Sequence, residues 1–253
     1  MPPRRKRDAA PRLETRIARA GPLVRQAQEL RYRVFAEEMG ARLGSGETRL
    51  DTDEFDAHCE HLVVRDVERR VVVGTYRILA PHAARKAGGY YAEMLFDMTQ
   101  LDVLRERMVE VGRACVHPEY RSGTVMLHLW SRLARYLVDN GHDYVMGSAS
   151  IPLADGGHTA ASIYRSASAR QMSPVDLRVV PRYRLALESL HDALTPPPPA
   201  LLKGYLNLGA WICGEPAIDA HFGCADLPVL LPLARMRDRY ARHFLARVEM
   251  GSG

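Results

Sequence analysis

A segment whose residue types and spacing suit phosphate binding lies near the middle of the chain, at residues 110–130, EVGRACVHPEYRSGTVMLHLW. It combines an alternating strand, a turn that contains Pro118, a pair formed by Ser122 and Gly123, and an amphipathic helix. Successive backbone N–H groups at a loop that enters a helix, together with the positive end of the helix dipole, can bind an anion. The anion could be the diphosphate of coenzyme A or the phosphopantetheine phosphate of an acyl carrier, although many such units only pack.

The cysteines and histidines offer little nucleophilic or metal chemistry. Cys59, Cys115, Cys213 and Cys224 show no C-x-x-C spacing, so we expect reduced, mostly buried thiols in a cytosolic protein. The run HCEH at residues 58–61 contains the residue types of a metal site, but a strand turns alternate side chains to opposite faces. We therefore expect no metal there, and His61 is interpreted as a strand histidine.

The composition is that of an ordinary soluble globular protein, with 47% hydrophobic and 26% charged residues. No apolar run approaches the ~20 residues that cross a bilayer, and no signal-peptide stretch is present, so we predict a cytoplasmic protein. The net charge of +5 comes almost wholly from arginine. This excess reflects either genome composition or an acidic partner, which could be nucleic acid, anionic lipid or an acidic carrier protein.

Hydrophobic periodicity predicts the elements that position the loop. Helices are predicted at 23–39, 124–140 and 158–172, with a closing helix at 237–245. Strands are predicted at 61–66 and 70–80 as a hairpin, at 108–116 and 143–150, and at 177–185, where Pro181 interrupts the strand. This order predicts an α/β protein with a mixed α+β sheet, in a single domain over residues 21–250. A basic disordered tail is expected at residues 1–20.

Several segments resemble the ornithine acyltransferases of ornithine-lipid synthesis, which belong to the GNAT superfamily and are related to the acyl-homoserine-lactone synthases. VHPEYR at 116–121 is similar to the acyl-coenzyme A loop of GNAT N-acyltransferases. The longer matches are LRYRVFAEEMGA (30–41), DTDEFDAHCEHLVV (51–64), VVGTYRIL (72–79), EVGRACVHPEYRSG (110–123) and LLKGYLNLGAWICGEPAID (201–219). The resemblance implies a GNAT-like acyltransferase fold. It also implies transfer of a 3-hydroxyacyl chain from acyl carrier protein to the α-amine of ornithine, giving lyso-ornithine lipid.

The acyl-donor site implied by the resemblance is the loop before the central helix. Its expected members are Val116, Arg121, Ser122, Gly123 and Thr124. RSGTV stands where many acetyltransferases have a glycine-rich run, and side chains there keep the backbone from approaching a diphosphate closely. Because a carrier protein offers one bridging phosphate, the loop fits acyl carrier protein better than free coenzyme A.

The expected partners are acyl carrier protein, ornithine and fatty acyl chains. Arg132 and Arg135, on the helix after the loop, and Lys203 are the expected contacts for the acidic carrier, and solvated surface charges are the alternative. Peripheral contact with the inner membrane face is a further expectation. We expect neither a nucleic-acid partner nor a cofactor beyond the phosphopantetheine thioester of the donor.

The implied reaction is direct attack of an amine on a thioester, which needs a base, an anchor for the amino acid and donors for the oxyanion. The related acyl-homoserine-lactone synthases carry a Glu-x-Ser-Arg arrangement, which corresponds to Glu110, Gly112 and Arg113. Glu110 is therefore the candidate base, and Arg113 is assigned to the catalytic group with it. The alternative is a buried pair of Glu110 and Arg113 that only holds the sheet together. Gly112 would leave room for the substrate, and a glycine that only allows packing is the alternative.

The resemblance also implies residues that bind the amino acid. Asp51, Asp53 and Asp56 follow the first helix, and carboxylates are needed by a substrate with two ammonium groups because an unpaired buried cation is costly. A solvated acidic turn is the alternative. Ser148 and Ser150, at the end of a strand that faces the loop, would bind the substrate or the departing thiol, or would only allow close approach.

Other functions remain open on the sequence alone. The chain could act on glycine or lysine instead of ornithine, or could resemble an acyl-homoserine-lactone synthase in function as well, although Gly112 replaces the serine of that pattern. A module of another class would bind nucleic acid or a membrane surface through basic residues. Evenly spread arginines and an aromatic content of only 7% speak against such a module.

Overall fold

Most of the strands join one mixed sheet. The computed structural model describes residues 11–43, 47–190 and 194–236. The strands are β1 (Leu13–Ala18), β2 (Glu60–Asp66), β3 (Val71–Leu79), β4 (Phe96–Asp97), β5 (Met108–Val116), β6 (Tyr144–Pro152), β7 (Val180–Pro181), β8 (Trp211–Ile212), β9 (Ala217–Asp219) and β10 (Cys224–Pro232). The sheet has the order β1-β2-β3-β5-β6-β10-β8, with β9 on β10, and β4 pairs with β7 separately. Neighbouring strands of the sheet are antiparallel except β5 and β6.

Helices cover both faces of this sheet. They are α1 (Pro22–Tyr32), α2 (Pro81–Ala87), α3 (Thr124–Asp139), α4 (His158–Gln171) and α5 (Ala200–Leu208). A π-helical segment (Arg33–Glu38) continues α1, and short 3₁₀ turns include Tyr91–Met94. Pro22 stands in the first turn of α1, where its missing N–H costs no helical hydrogen bond.

The period-two pattern of β2 explains how α1 and α3 come to lie on opposite faces. Leu62 and Val64 belong to the core cluster that contains Val125 and Leu129 of α3, whereas Val63 belongs to the cluster of α1. Successive side chains of a strand point to opposite faces, so β2 contributes apolar side chains to both layers. Fully burying each such side chain stabilises the fold by about 1.5–3 kcal/mol.

The sheet opens between β5 and β6. Their parallel pairing joins only the residues from Met108 to Glu110 with those from Tyr144 to Met146. A Cβ built on Gly147 would lie 2.8 Å from the Val111 carbonyl oxygen, so a glycine is required where the strands begin to separate. Beyond this point each strand continues along its other neighbour, β3 or β10.

A bulge lies in β5 beside this opening. Opposite β3, the register shifts between the pairs Thr75–Cys115 and Arg77–Gly112, which leaves one extra residue in β5. Arg113 lies in the bulge with a φ of 51°. Bulges bend a strand and re-aim its side chains, so the strict alternation of β5 is broken at Arg113.

Most predicted elements are confirmed. They form within one or two residues of the predicted bounds or as part of a longer element. These elements are the helices at 23–39, 124–140 and 158–172, the hairpin, and the strands at 108–116 and 143–150. The mixed α/β sheet is confirmed as well. Within the described ranges, no helix has the length and apolar character that crossing a membrane requires. The helix predicted at 237–245 lies outside the described residues.

Two sequence predictions are wrong in part. The disordered tail at 1–20 is wrong from residue 13, because Leu13 and Ile17 pack against the core and their strand pairs with β2. Residues 1–10 lie outside the described part of the chain. The strand at 177–185 is reduced to the two residues of β7, which pair with β4 instead of the main sheet. Pro181 has no N–H to extend a ladder.

Candidate active site

A cavity of about 790 Å³ lies where β5 and β6 separate. Its wall is formed by both strands, the π-helical segment after α1, the start of α5 and the turn between β9 and β10. The volume is in the range of small-molecule sites. Since the pairing of β5 with β6 stops at Glu110 and Met146, backbone groups on the facing edges beyond this point are open to a ligand.

Glu110 lies in the cavity wall at the point where the strands part, with only 6% of its surface exposed. Its carboxylate accepts the backbone N–H groups of Tyr91 and Ala92, each at 2.7 Å. Burial raises the pKa of Glu110 to about 7, although these two hydrogen bonds act in the opposite direction. A carboxylate with a pKa near neutrality is suited to accept a proton from an amine.

The acidic loop, which carries Asp51, Asp53 and Asp56, packs around a buried arginine. Arg31, fully buried on α1, donates from Nε to Asp51 at 2.8 Å and from its two Nη atoms to Asp56 at 2.7 and 3.0 Å. Burial acts to raise the pKa of Asp56, but the bonds and charges of Arg31 and Arg77 outweigh it and hold this pKa well below its usual range. Asp56 is therefore an ionised partner of arginines.

Two further arginines complete the charge network. Arg77 on β3 donates from Nη1 to Asp53 at 2.5 Å and to Asp56 at 3.0 Å. Arg113 donates from Nε to Asp51 at 3.1 Å and from Nη2 to Asp53 at 3.0 Å. None of the three aspartates is among the residues of the cavity wall. The expected cradle for a cationic substrate is thus occupied by arginines of the chain itself, because each carboxylate needs a cation when it is buried.

Arg113 itself reaches the cavity wall between two aromatic rings. Its guanidinium carbon lies 4.8 Å from the centroid of Tyr91 and 4.7 Å from that of Phe222. The alternative of a structural pair with Glu110 is wrong, because Arg113 binds the loop aspartates and Glu110 binds backbone N–H groups. The network and the rings fix the direction of the Arg113 side chain.

The other residues predicted to bind substrate also line the cavity. Gly112, Ser148 and Ser150 are all part of its wall. A Cβ built on Gly112 would meet no atom within 4 Å, so the position faces open space. The structure therefore brings Glu110 and Arg113 together with these three residues in one cavity. Contact of any of them with a substrate stays a prediction.

Two carboxylates of the cavity wall are not predicted from the sequence. Asp219 on β9 and Asp226 on β10 are each 4% exposed. Ser150 Oγ donates to Asp226 at 2.5 Å, and Asp219 accepts the backbone N–H groups of His221 and Phe222 at 2.9 and 3.1 Å. Burial raises the pKa of Asp226 to about 6. The signal that could have identified Asp226 is a lone acid in the apolar run CADLPVLLP.

The predicted donor loop begins at the cavity and is tied to the π-helical segment. Val116 and Arg121 line the cavity. Arg121 donates to both carboxylate oxygens of Glu38, at 2.5 and 2.8 Å, and from Nε to the Val116 carbonyl at 3.1 Å. Arg121 is partly exposed, so its guanidinium remains within reach of a phosphate at the mouth of the cavity.

The start of α3 is exposed and lacks a side-chain cap. Ser122, Gly123 and Thr124 are exposed, Gly123 has a φ of 94°, and no described side chain accepts the N–H groups of the first turn. Open N–H groups at a helix start favour an anion. Val125 is buried directly against β3, because a Cβ built on Gly74 would lie 2.3 Å from its Cγ1. The residues predicted to bind the donor are therefore adjacent, and donor binding itself stays a prediction.

The predicted carrier contacts lie on two neighbouring helices. Arg132 and Arg135 are half-buried on α3, and Arg135 Nε donates to Asp139 at 2.9 Å. Lys203 is exposed on α5. The ring of Trp130 on α3 lies 5.9 Å from that of Tyr205 on α5, so the two helices are in contact. A single partner could span both helices.

The thiols and histidine 61 are buried. All four cysteines are free and buried, as predicted. Burial raises the pKa of Cys115 to about 12, so its thiol is protonated even though it lines the cavity. His61 is fully buried in β2, and burial lowers its pKa. In the described ranges no group of three or more His, Cys, Asp or Glu side chains is placed to hold a metal ion.

Comparisons with known proteins show the family of the chain. Residues 30–131 match the family described as Acetyltransferase (GNAT) domain. The L-ornithine N(alpha)-acyltransferase of Brucella abortus (strain 2308) is 37% identical over 249 residues, which cover 92% of this chain and 88% of the relative. The L-ornithine N(alpha)-acyltransferase of Rhodobacter capsulatus is 34% identical and covers 93% of this chain and 96% of the relative.

Solved structures show the same fold. The AHL synthase LasI superposes with a TM-score of 0.52 at 13% identity, over 93% of this chain and 95% of that chain. The coenzyme A-dependent acyl-homoserine lactone synthase BjaI, solved with SAM and isopentyl-CoA, gives 0.50 at 15% identity, over 91% and 83% of the chains. At these identities the likeness concerns the fold alone, and together with the match to the acetyltransferase (GNAT) family it confirms the predicted GNAT-like fold.

Proposed function

The chain belongs to the L-ornithine N(alpha)-acyltransferase family and is an acyltransferase, and we propose on this premise that it acylates the α-amine of L-ornithine. The proposed donor is a 3-hydroxyacyl thioester of acyl carrier protein, and the proposed product is lyso-ornithine lipid. The observation that carries the proposal is the opening between β5 and β6, where Glu110 and Arg113 line one cavity.

The proposed reaction is direct transfer. The α-ammonium of ornithine gives a proton to Glu110, and the free amine attacks the thioester carbonyl carbon to form the C–N bond. The C–S bond then breaks, and the second proton lost by the nitrogen ends on the departing thiolate. Glu110 suits the first step because burial raises its pKa to about 7, close to the pH at which it would act.

The open strand edges would stabilise the tetrahedral intermediate. Beyond Glu110, β5 has no partner strand on the side of the cavity in the described structure. Backbone N–H groups on such an edge can donate to the oxyanion that forms on the thioester carbonyl. The donor thioester would lie along this edge, with its phosphate near Arg121 and the start of α3.

Arg113 would bind the α-carboxylate of ornithine. A guanidinium presents a rigid set of donors that matches a carboxylate, and stacking on aromatic rings fixes its plane. Both conditions hold for Arg113, which lies between Tyr91 and Phe222 and reaches the cavity wall. With the carboxylate held there, the α-amine lies close to the same strand that carries Glu110.

The donor is proposed to be a carrier protein because of the start of α3. Its first turn has the side chains of Thr124 and Val125, and Val125 is packed under β3. This backbone has less room for a diphosphate than a glycine-rich loop would give. The positive charges of the half-buried Arg132 and the exposed Lys203 support an acidic partner on α3 and α5.

Two further parts of the proposal concern what surrounds the reaction. The donor brings its own thioester on phosphopantetheine, so the proposed chemistry needs no cofactor held by the chain. Because the product would be a lipid and the net charge is +5, we also propose peripheral contact with the inner face of the membrane. Binding to vesicles with and without anionic lipid tests this part separately.

The experiment that tests the function is a transfer assay with the purified chain. Ornithine and 3-hydroxyacyl-acyl carrier protein are mixed with it, and products are identified by mass spectrometry. Formation of N-acyl-ornithine with release of the carrier thiol supports the proposal. If the free amino acids glycine or lysine are acylated and ornithine is not, the proposed acceptor is wrong.

A further inference from the structure

The cavity contains two buried carboxylates that form no ion pair with the described residues. Asp219 and Asp226 are each 4% exposed and line the cavity. The arginines that also line it are bound to other acids: Arg77 and Arg113 to the loop aspartates, and Arg121 to Glu38. Among the described residues, neither Asp219 nor Asp226 forms an ion pair. The charge of Arg113 acts on Asp226 without forming an ion pair with it, so the negative charge on this side of the cavity is compensated only in part.

In each of the two aspartates, the hydrogen bonds reach only one carboxylate oxygen, Oδ1. Asp226 Oδ1 accepts from Ser150 Oγ at 2.5 Å and from Cys224 Sγ at 3.7 Å. Asp219 Oδ1 accepts from the backbone N–H groups of His221 and Phe222. In the described part of the chain no donor reaches Oδ2 of either residue. Each carboxylate is thus oriented through one oxygen, and its other oxygen accepts no hydrogen bond from the described residues.

Two such carboxylates disfavour each other unless a cation joins them. Burial and the charge of Asp219 raise the pKa of Asp226, while Ser150 and Arg113 act in the opposite direction. A buried ionised carboxylate without a partner is costly, and an ammonium ligand removes that cost. Asp219 pairs with Cys224, two residues before Asp226 on β10, so both aspartates lie on one face of the β9–β10 pair. A primary ammonium has three N–H donors, so a single ammonium can donate to more than one carboxylate. The chemistry of this wall suits a cationic ligand.

We propose that Asp219 and Asp226 bind the side-chain ammonium of the acceptor amino acid and thereby select a diamino acid. This inference rests on the proposed function, because it requires an amino acid as the acceptor. The acceptor then has three contacts: Arg113 for its α-carboxylate, Glu110 for its α-amine, and the aspartate pair for its side chain. An amino acid with an apolar side chain would leave both carboxylates desolvated and unpaired.

The test compares ornithine with norvaline, which has the same carbon chain and no side-chain amine. We expect the wild-type chain to prefer ornithine by about 100-fold or more in kcat/KM, as is typical when one member of a buried charge pair is missing. In Asp226→Asn and Asp219→Asn, kcat/KM for ornithine should fall steeply, and the preference over norvaline should shrink toward unity. Calorimetric binding of ornithine and norvaline gives a second readout that does not depend on turnover.

Asp66→Asn is the matched control. Asp66 is also a buried aspartate, 3% exposed, but it binds Tyr120 at 2.7 Å and is not part of the cavity wall. Its replacement should change stability without changing the preference between the two amino acids. If the variants at 219 and 226 fail to fold, the wild-type comparison still decides, because equal use of norvaline and ornithine would overturn the inference.

The outcomes separate this inference from the proposed function. If the wild-type chain acylates ornithine but Asp219→Asn and Asp226→Asn fold and keep the preference over norvaline, the aspartate pair has no part in selection and the function stands. In a third outcome, ornithine binds more tightly than norvaline, this difference is lost when either aspartate is replaced, and no acyl transfer occurs. The pair is then confirmed as an ammonium site, and the proposed function fails.

Discussion

Glu110 accepts the backbone N–H of Tyr91 at 2.7 Å, and the ring of Tyr91 stacks on the guanidinium of Arg113 at 4.8 Å. One residue of a short 3₁₀ turn thus orients both the candidate base and the candidate carboxylate anchor. The turn begins at Tyr91, so the Glu110 carboxylate also satisfies N–H groups that the first turn of a helix leaves open. The carboxylate that is the candidate base therefore also stabilises the start of this turn.

Glu110→Gln should lower turnover by ~10²–10⁴-fold, as expected for a lost general base. Glutamine offers one acceptor oxygen for the two N–H groups of Tyr91 and Ala92, so the free energy of unfolding should also fall by about 1–3 kcal/mol. Turnover and denaturant unfolding are measured together. A folded variant with full activity would show that the base lies elsewhere.

Glu110 should also set the pH dependence of the wild-type chain. Its pKa is raised to about 7, so the basic form, and with it the rate, should increase as the pH rises through 7. The effect on stability has the opposite sign: a raised pKa stabilises the fold below the unfolded value of 4.5, and this contribution is lost as the pH rises to about 7. A rate profile that is flat between pH 6 and pH 8 would contradict the assignment.

Gly112→Val should reduce kcat/KM because its side chain would protrude into the cavity, where a Cβ meets no atom within 4 Å. Stability should change by less than about 0.5 kcal/mol. Gly147→Ala is the contrasting variant: its Cβ would lie 2.8 Å from the Val111 carbonyl oxygen, so we expect it to lose about 1–3 kcal/mol. Equal losses of stability in the two variants would show that position 112 is also packed.

Charge reversal of Arg132 and Arg135 together should raise the apparent KM for acyl carrier protein and flatten its salt dependence, because such charges act mainly on encounter. Arg184→Glu is a control, since Arg184 is an arginine paired with an acid four residues later, as Arg135 is with Asp139. Salt-dependent kinetics of all three chains are compared. Identical curves would place the carrier on another surface.

Acyl carrier protein should be a far better donor than acyl-coenzyme A with the same acyl chain. The physical reason is the start of α3, where Thr124 and the packed Val125 replace the glycines that a diphosphate needs for close approach. Specificity constants are measured for both donors at the same salt concentration. Equal constants would show that the loop does not discriminate.

The sequence predicts the strands and helices that form the site better than it predicts the ion pairs within the site. Apolar periodicity is sufficient to place β5 and α3, and the resemblance identifies Glu110, Gly112 and Arg113, which do share one cavity. The partners of the acidic loop could not be predicted, because Arg31 belongs to an amphipathic helix and Arg77 to a strand distant in sequence. Pairing across such distances depends on the sheet order, and so does the approach of Asp219 and Asp226 to β5.

The charge network and the aspartate pair have different consequences for anyone who redesigns this protein. Arg31, Arg77 and Arg113 share the three loop aspartates, so loss of one member leaves buried charges that the others cannot neutralise. Those six positions must be retained or exchanged as a set. Asp219 and Asp226 belong to strands outside that set and form no ion pair with its members, so their exchange leaves the ion pairs of the network in place. New acceptors are best sought in libraries that vary β9 and β10 while α1, β3 and the acidic loop are kept unchanged.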